Sequence, residues 1–378
     1  MSQIVKVEIG RFDYDVVGEF KFFKPGPDGH IRRPSVLIRL TDENGVKGWG
    51  QAVPTHTWTY ETVETVETTL AGYLAEVLLG AHPENIDDIH TRMNQAIRPA
   101  FSVGQPLCKA AVDLACYDLV GKQTDRSVSE ILGPNETTSL TLSWTVASPD
   151  MRVVEEQLED GRARGYRNFN IKVGAPQTPK YDLALARRVR EFAPEGFLWA
   201  DANTGYTTDT ALEIMPKLAD AGVDVLESPL PPTHISGYQA LKRLGALPIL
   251  MDEGILSPVE VAEFIALNML DGIAMKPARN AGIRPSEQII RLLKERNLMV
   301  LGSGLTDPDL SLAASAHLFA WAGINYPCAL NGPQFLVDGL SGETLVPDRD
   351  QLHVPTGPGL GVELDSRAEA ALSVVAER

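Results

Sequence analysis

Along the first ~60 residues, apolar and polar positions alternate with a period of two. Val5, Val7 and Ile9 share one face, and Ser35-Val-Leu-Ile-Arg-Leu40 reads as a strong strand. Asp42-Glu-Asn-Gly-Val46 carries the Asn-Gly pair of a tight hairpin, and Gly48-Trp-Gly-Gln-Ala-Val53 supplies its second arm. From Tyr60 to about Gly121 the period becomes helical, and Pro106 to Gly121 is apolar enough to predict a buried helix. Near Ser139 the pattern changes to short apolar runs alternating with helical stretches. The runs are Leu140–Val146, Asn168–Val173, Leu198–Asp201, Val223–Glu227, Ile249–Asp252, Gly272–Lys276, Met299–Gly302 and Cys328–Asn331. Eight such units predict an α/β fold, a (β/α)7–8 TIM-like barrel, behind an N-terminal α+β domain. We expect an N-terminal α+β domain over 1–135, the barrel over 136–340, and a C-terminal segment over 341–378. That last segment is loop-rich around Pro355-Thr-Gly-Pro-Gly-Leu-Gly361 before a short helix.

Composition narrows the function classes. The 378-residue chain has a net charge of −16, which argues against nucleic acid, since phosphate binding needs clustered Lys and Arg. No apolar run approaches the ~18 residues that span a bilayer, so no membrane association is expected. The opening Met-Ser-Gln-Ile-Val-Lys has no basic segment before a long apolar one, and the expected location is cytoplasmic. Cys108, Cys116 and Cys328 are too scattered for a disulfide framework or a zinc site, and the first two fall on the apolar helix as core residues.

The candidate chemistry lies at the ends of the predicted barrel strands. Asp201 in Phe197-Leu-Trp-Ala-Asp-Ala-Asn203, Glu227 in Val223-Asp-Val-Leu-Glu-Ser-Pro229 and Asp252 in Leu247-Pro-Ile-Leu-Met-Asp-Glu253 are spaced by one strand and one helix each (227 − 201 = 26; 252 − 227 = 25). Three carboxylates at one rim repel unless a cation neutralises them, and hard oxygen ligands suit Mg²⁺ or Mn²⁺. Lys172 and Lys276 end the second and sixth strands, on opposite walls of a closed barrel. They would present one amine to each face of a metal-bound carboxylate substrate, where loss of the α-proton gives a metal-stabilised enediolate.

These residues also have plainer readings. Asp201 could cap a helix and Lys172 could be a surface lysine, but three acids in phase with two lysines fit neither. Asn203 could merely turn its loop. Glu253 could serve a salt bridge. Trp58 and Trp144 could simply pack, Trp144 being the better candidate for a pocket wall. Lys21, Lys24, His30, Arg32 and Arg33 form a basic cluster that reads either as a solvated loop or as a clamp for a second anionic or hydroxylated end of the substrate. His56 and His234 have no partner pattern.

The ordered set Asn170-Ile-Lys172, Asp201-Ala-Asn203, Glu227-Ser-Pro229, Asp252-Glu253, Lys276 with Arg279-Asn-Ala-Gly282, and Gly302-Ser-Gly304 resembles the enolase superfamily, in its muconate cycloisomerase-like branch. Gly48-Trp-Gly-Gln-Ala-Val-Pro54 and Tyr60-Glu-Thr62 resemble its capping domain, which implies that 1–135 is an N-terminal α+β capping domain and that 341–378 packs back on it. The resemblance implies Asp201, Glu227 and Asp252 as magnesium ligands and Lys172 and Lys276 as the acid/base pair. Asn170, Asn203, Glu253, Ser303, Asn331 and Trp144 would then stand beside the metal or the substrate. It also implies specificity loops near 18–33 and 55–59, a small carboxylate substrate and a homo-oligomer. The chain departs from the branch at two places. Asn170 stands where a first lysine of Lys-x-Lys is usual, and Ala329 stands where many relatives carry an acid, which disfavours a dipeptide epimerase. No His-Asp dyad occurs on the sixth and seventh strands. The shared step predicts racemisation, epimerisation or cycloisomerisation. Dehydration of a hydroxy acid by β-elimination is the alternative, and a metal-independent barrel glycosidase or a non-catalytic binding protein are the rival classes.

Overall fold

A computed structural model describes residues 2–18, 20–99 and 102–378. Strands β1 (Ile4–Val16), β2 (Arg32–Asp42) and β3 (Lys47–Ala52) form an antiparallel meander. The Asn-Gly turn forms as expected. Gly45, at φ +80°, donates to the Asp42 carbonyl, and Asp42 Oδ1 accepts from the amides of Asn44 and Val46. The meander packs against the helix Pro106–Thr124, backbone almost on backbone: a Cβ at Gly50 would stand 1.9 Å from the Ala111 carbonyl oxygen. That helix has no side-chain cap of its own. Instead Glu61, from the Tyr60-Glu-Thr62 motif, accepts from the Leu107 and Cys108 amides at 2.7 and 3.0 Å, and burial pushes its carboxyl up to about 7. Cys108 and Cys116 lie fully buried inside the same helix.

The predicted first barrel strand divides in two. β4 (Ser139–Thr141) pairs antiparallel with β13 (Gln351–His353), and β5 (Trp144–Val146) opens the barrel. The division follows from the hydrogen bonds: the Leu142 amide is drawn to the Asp350 carbonyl, while Ser143 donates to Cys328. Six parallel neighbours continue in order: β6 (Phe169–Lys172), β7 (Leu198–Asp201), β8 (Val225–Glu227), β9 (Ile249–Met251), β10 (Gly272–Met275) and β11 (Met299–Gly302). The expected eighth strand is reduced to isolated pairings of Cys328 with Leu142 and of Ala329 with Ser303, which bring the two edges of the sheet together. After the barrel, β12 (Leu336–Val337) and β14 (Ser373–Glu377) pair with β1.

Alternation along these short strands decides what faces the axis. Trp199, Val225, Leu250, Ala274, Leu301 and Ala329 form one inner cluster. Their neighbours Leu198, Ala200, Leu226, Met251, Ile273 and Met275 belong to the larger core beneath the helices. Two residues further along each strand, the same inward parity falls on Asp201, Glu227, Asp252, Lys276 and Ser303.

One buried group makes stability depend on pH. In the helix Asp309–Ala322, His317 is fully buried. Its Nε2 donates to the Leu360 carbonyl at 3.1 Å and its Nδ1 accepts from the Ser129 amide, so the ring is neutral. Burial pulls its pKa down to about 4. The unfolded chain therefore binds a proton near pH 6.5 that the folded chain refuses. The associated stability, about 3 kcal/mol, is complete above pH 6.5 and is lost as pH falls toward 4. Thermal melts of wild type and His317→Gln at pH 7 and 4.5 check this. The gap between them should narrow at the lower pH, and an unchanged gap would contradict the assignment.

Candidate active site

The parallel register sets the rim residues side by side. Lys172 pairs with Asp201 across β6 and β7, and Asp201 pairs with Glu227 across β7 and β8. Asp252 follows β9 and Lys276 follows β10, one residue beyond each strand. Lys172 Nζ donates to Asp201 Oδ2 at 2.5 Å. Lys276 Nζ lies 2.7 Å from Asp252 Oδ2 and 3.3 Å from Glu227 Oε1. All of these except Lys172 are buried, and the Lys172 side chain retains 12% exposure.

Electrostatics follow from this crowding. Burial, then repulsion from Asp201, raises the Glu227 carboxyl well above the usual range, against the pull of Lys276. Burial works in the same direction on Asp252, but the charges of Arg279 and Lys276 outweigh it and hold that carboxyl low. Burial opposes the charge on the Lys276 ammonium, yet Asp252 and Glu227 outweigh it and raise its pKa.

Asn203 and Glu253 complete the acidic corner. Asn203, at φ +43°, donates its amide to Asp201 Oδ1 at 2.8 Å and its side-chain Nδ2 to Asp201 Oδ2 at 3.0 Å and Glu253 Oε1 at 3.3 Å. Asn203 Oδ1 and Glu253 Oε2 are buried with no hydrogen-bond partner. Among the described residues, no three His, Cys, Asp or Glu side chains have closed around one point. The acids are bridged by Lys172, Lys276 and Arg279. The donor set nevertheless fits a hard divalent cation: adjacent strands offer carboxylate oxygens only, and two orphaned oxygens lie beside them.

The remaining predicted residues divide. Asn170 points inward but two residues deeper than Lys172, donating to Ser143 Oγ at 2.9 Å. Asn331 donates to Thr145 Oγ1 at 3.3 Å and leaves its own Oδ1 unpartnered, while Ser303 is buried at the end of the seventh strand. Trp144 is a correction. Its parity on β5 is opposite to that of Thr145, so it packs against Gly161 and Tyr166 (centroids 4.9 Å apart) and lines a lateral cavity of about 460 Å³ with Tyr14 and Arg164, away from the barrel mouth. In the basic loop, Lys24, His30 and Arg32 are exposed, whereas Arg33 is fully buried and spends its donors on the carbonyls of Val53, Pro54 and Thr306 and on Thr55 Oγ1. Arg279 opens the Arg279-Asn-Ala-Gly282 motif, whose sequence alone assigns it no role. It is buried, donates to Asp252 Oδ1 at 2.6 Å and lies over the Trp58 ring. Its signal was its place just past Lys276, in the loop that leaves the same strand.

Comparison with known proteins settles the family. The model of the mandelate racemase / muconate lactonizing enzyme N-terminal domain matches residues 30–133, and the enolase C-terminal domain-like model matches residues 153–368. The chain belongs to this enolase-superfamily family. It is 29% identical over 340 residues to chloromuconate cycloisomerase of Cupriavidus necator, covering 89% of this chain and 90% of the relative. It is 25% identical over 343 residues to the N-succinyl-L-Arg/Lys racemase of Bacillus cereus, covering 90% of each. Among solved structures, muconate lactonizing enzyme from Pseudomonas fluorescens, complexed with muconolactone, superposes with a TM-score of 0.88 at 25% identity over 98% of both chains. The fold is thus the TIM-like barrel with its N-terminal capping domain. The chain is an enolase-superfamily enzyme whose chemistry is metal-dependent abstraction of the α-proton of a carboxylate, with racemisation, epimerisation or cycloisomerisation as the outcome. Among the described residues, no helix is long and apolar enough to cross a membrane.

Proposed function

We propose that Lys172 and Lys276 are the acid/base pair of this reaction, and that Asp201, Glu227 and Asp252 hold a Mg²⁺ ion, for which Mn²⁺ could substitute. The reading rests above all on one observation: five charged side chains of inward parity stand on consecutive strands in the order Lys, Asp, Glu, Asp, Lys. When bound, the cation supplies Lewis-acid stabilisation of negative charge developing on the substrate carboxylate. Lys172 and Lys276 remove and return the α-proton from opposite faces. Arg279 positions Asp252 by holding one oxygen, and Asn203 positions Asp201 through two donors. Two amines without a histidine dyad favour isomerisation. A lyase would use the same pair, one amine as base and the other as acid on a leaving hydroxyl. The division into capping domain, barrel and returning tail, and assembly as a homo-oligomer, belong to the same proposal.

Proton NMR in D₂O with Mg²⁺ and pooled acid sugars, N-acyl amino acids and cyclic amino acids tests it. Exchange of an α-proton without mass loss supports the isomerase reading. A 2-keto product lacking a hydroxyl would replace it with dehydration.

A further inference from the structure

The lateral cavity beside Trp144 has the walls of a binding site and no part in the chemistry of the barrel mouth. Its volume, about 460 Å³, is that of a small-molecule site. Trp144, Tyr166, Leu312, Leu336 and Leu345 line it with apolar surface. The acids on its wall are spent or distant. Asp309 accepts from the Tyr14 hydroxyl at 2.6 Å, from the Leu340 and Ser341 amides at 3.0 and 3.1 Å, and from Ser341 Oγ at 2.6 Å. Asp307 is buried, and burial pushes its carboxyl up, while Asp338 faces solvent.

Cations gather where this cavity meets a second one of about 490 Å³. The two share Tyr166 and Arg349, with Arg164 on the first and Arg162 and Arg167 on the second. In a chain of net charge −16 this is a local excess of guanidinium groups. Arg162 pairs with Glu159. Arg164 gives its Nε to Asp160 Oδ1 at 3.1 Å and lies 5.4 Å from the Trp144 ring centroid. Among the described residues, Arg349 has no ion pair and no side-chain hydrogen bond. It stands at φ +56° in a tight turn in which Asp348 and Gln351 exchange both backbone bonds, a conformation that side chains seldom adopt. The turn lays its side chain over Gly165, where a Cβ would stand 3.0 Å from Arg349 Cβ and 3.4 Å from its Nε. Tyr166 adds a donor beside it. The phenol bonds no protein group, and burial pushes it up to about 12, so it keeps its proton. A free guanidinium and a free hydroxyl against apolar walls match a carboxylate carried on an apolar body.

We propose that the lateral cavity is a second ligand site, which takes a small molecule with an apolar body and one terminal carboxylate, held by Arg349 and the Tyr166 hydroxyl with Arg164 beside them. The site stands back to back with the barrel interior. Trp144 and Thr145 are consecutive on β5, and while Trp144 forms this wall, Thr145 Oγ1 accepts from Asn331 on the inner side. The inference is independent of the chemistry assigned to the barrel mouth.

Calorimetric titration of the Mg²⁺-loaded protein tests the idea. The probes are benzoate, phenylacetate, hexanoate and octanoate, each against its neutral primary amide. At least one carboxylate should bind at least about tenfold tighter than its amide, the scale of one charge-assisted hydrogen bond. The stronger series shows whether the apolar body is aromatic or aliphatic. EDTA should leave this binding in place, whereas binding of a carboxylate through a metal at the barrel mouth would be lost. Arg349→Gln should weaken the carboxylate at least about tenfold and leave the amide unchanged, and Arg349→Lys should retain part of the preference. Thermal melting verifies that both variants fold. No binding by any probe, loss of all binding in EDTA, equal affinity for acid and amide, or undiminished binding by Arg349→Gln would overturn the site and leave the reading of the barrel mouth standing.

Discussion

Replacing Lys276 with methionine is expected to lower turnover by roughly 10³-fold or more, the scale on which a positioned acid/base group contributes. Lys276 is the buried member of the pair, and its ammonium contacts both Asp252 and Glu227. Its removal deletes the proton carrier on one face of the substrate and strips a counter-charge from two buried acids. Methionine preserves most of the apolar stem, so packing changes least. Breaking a buried ion pair costs about 3–5 kcal/mol, and the variant should melt earlier for that reason alone. The two effects separate cleanly. Steady-state rates at a temperature where both proteins are folded report the chemistry, and thermal melts report the charge imbalance. Arg279 still holds Asp252 in the variant, which should keep the fold intact. A folded Lys276→Met protein with near wild-type kcat would remove this residue from the mechanism.

Chelation gives the second large effect. EDTA should abolish activity to at least about 10³-fold below the starting rate, and excess Mg²⁺ should restore it, because cation stabilisation of developing charge is worth several kcal/mol. The structure supplies the reason. Glu227 is buried beside Asp201 and Asp252, and repulsion from both helps push its carboxyl upward. Asn203 Oδ1 and Glu253 Oε2 stand unpartnered nearby. A divalent ion offsets the repulsion, whereas the lysines that now bridge the acids are needed for the substrate. Glu227→Gln should lose both the activity and its recovery by Mg²⁺, with metal binding followed directly by calorimetry. A paired-carboxylate glycosidase would keep its activity in EDTA, so this experiment also separates that class.

Much of the site was legible in the sequence because barrel geometry turns strand period into spatial order. An acid at the end of each of three consecutive strands must share a rim, whatever the helices between them contain. The same parity rule explains the misplacement of Trp144: it lies in the first strand at a position of the wrong phase, and its phase could be read only once the strand was known to begin after Ser143. The eighth strand was located but not its weakness, since Cys328 and Ala329 pair with both edges without forming a continuous ladder. Least legible were contacts between distant segments. Glu61 capping the helix at Leu107, Arg279 under Trp58, and Phe22 stacked on Trp58 depend on how the capping domain docks, and no local pattern specifies that.

The central claim is that two lysines on opposite walls exchange the α-proton of one bound carboxylate. Its most direct test is deuterium incorporation from D₂O into the substrate returned by the NMR screen, with Mg²⁺ present and Lys172→Ala in place of wild type. The account predicts that this variant binds Mg²⁺ normally, remains folded, and loses turnover together with exchange from the Lys172 face. Full wild-type exchange and turnover in Lys172→Ala would contradict it.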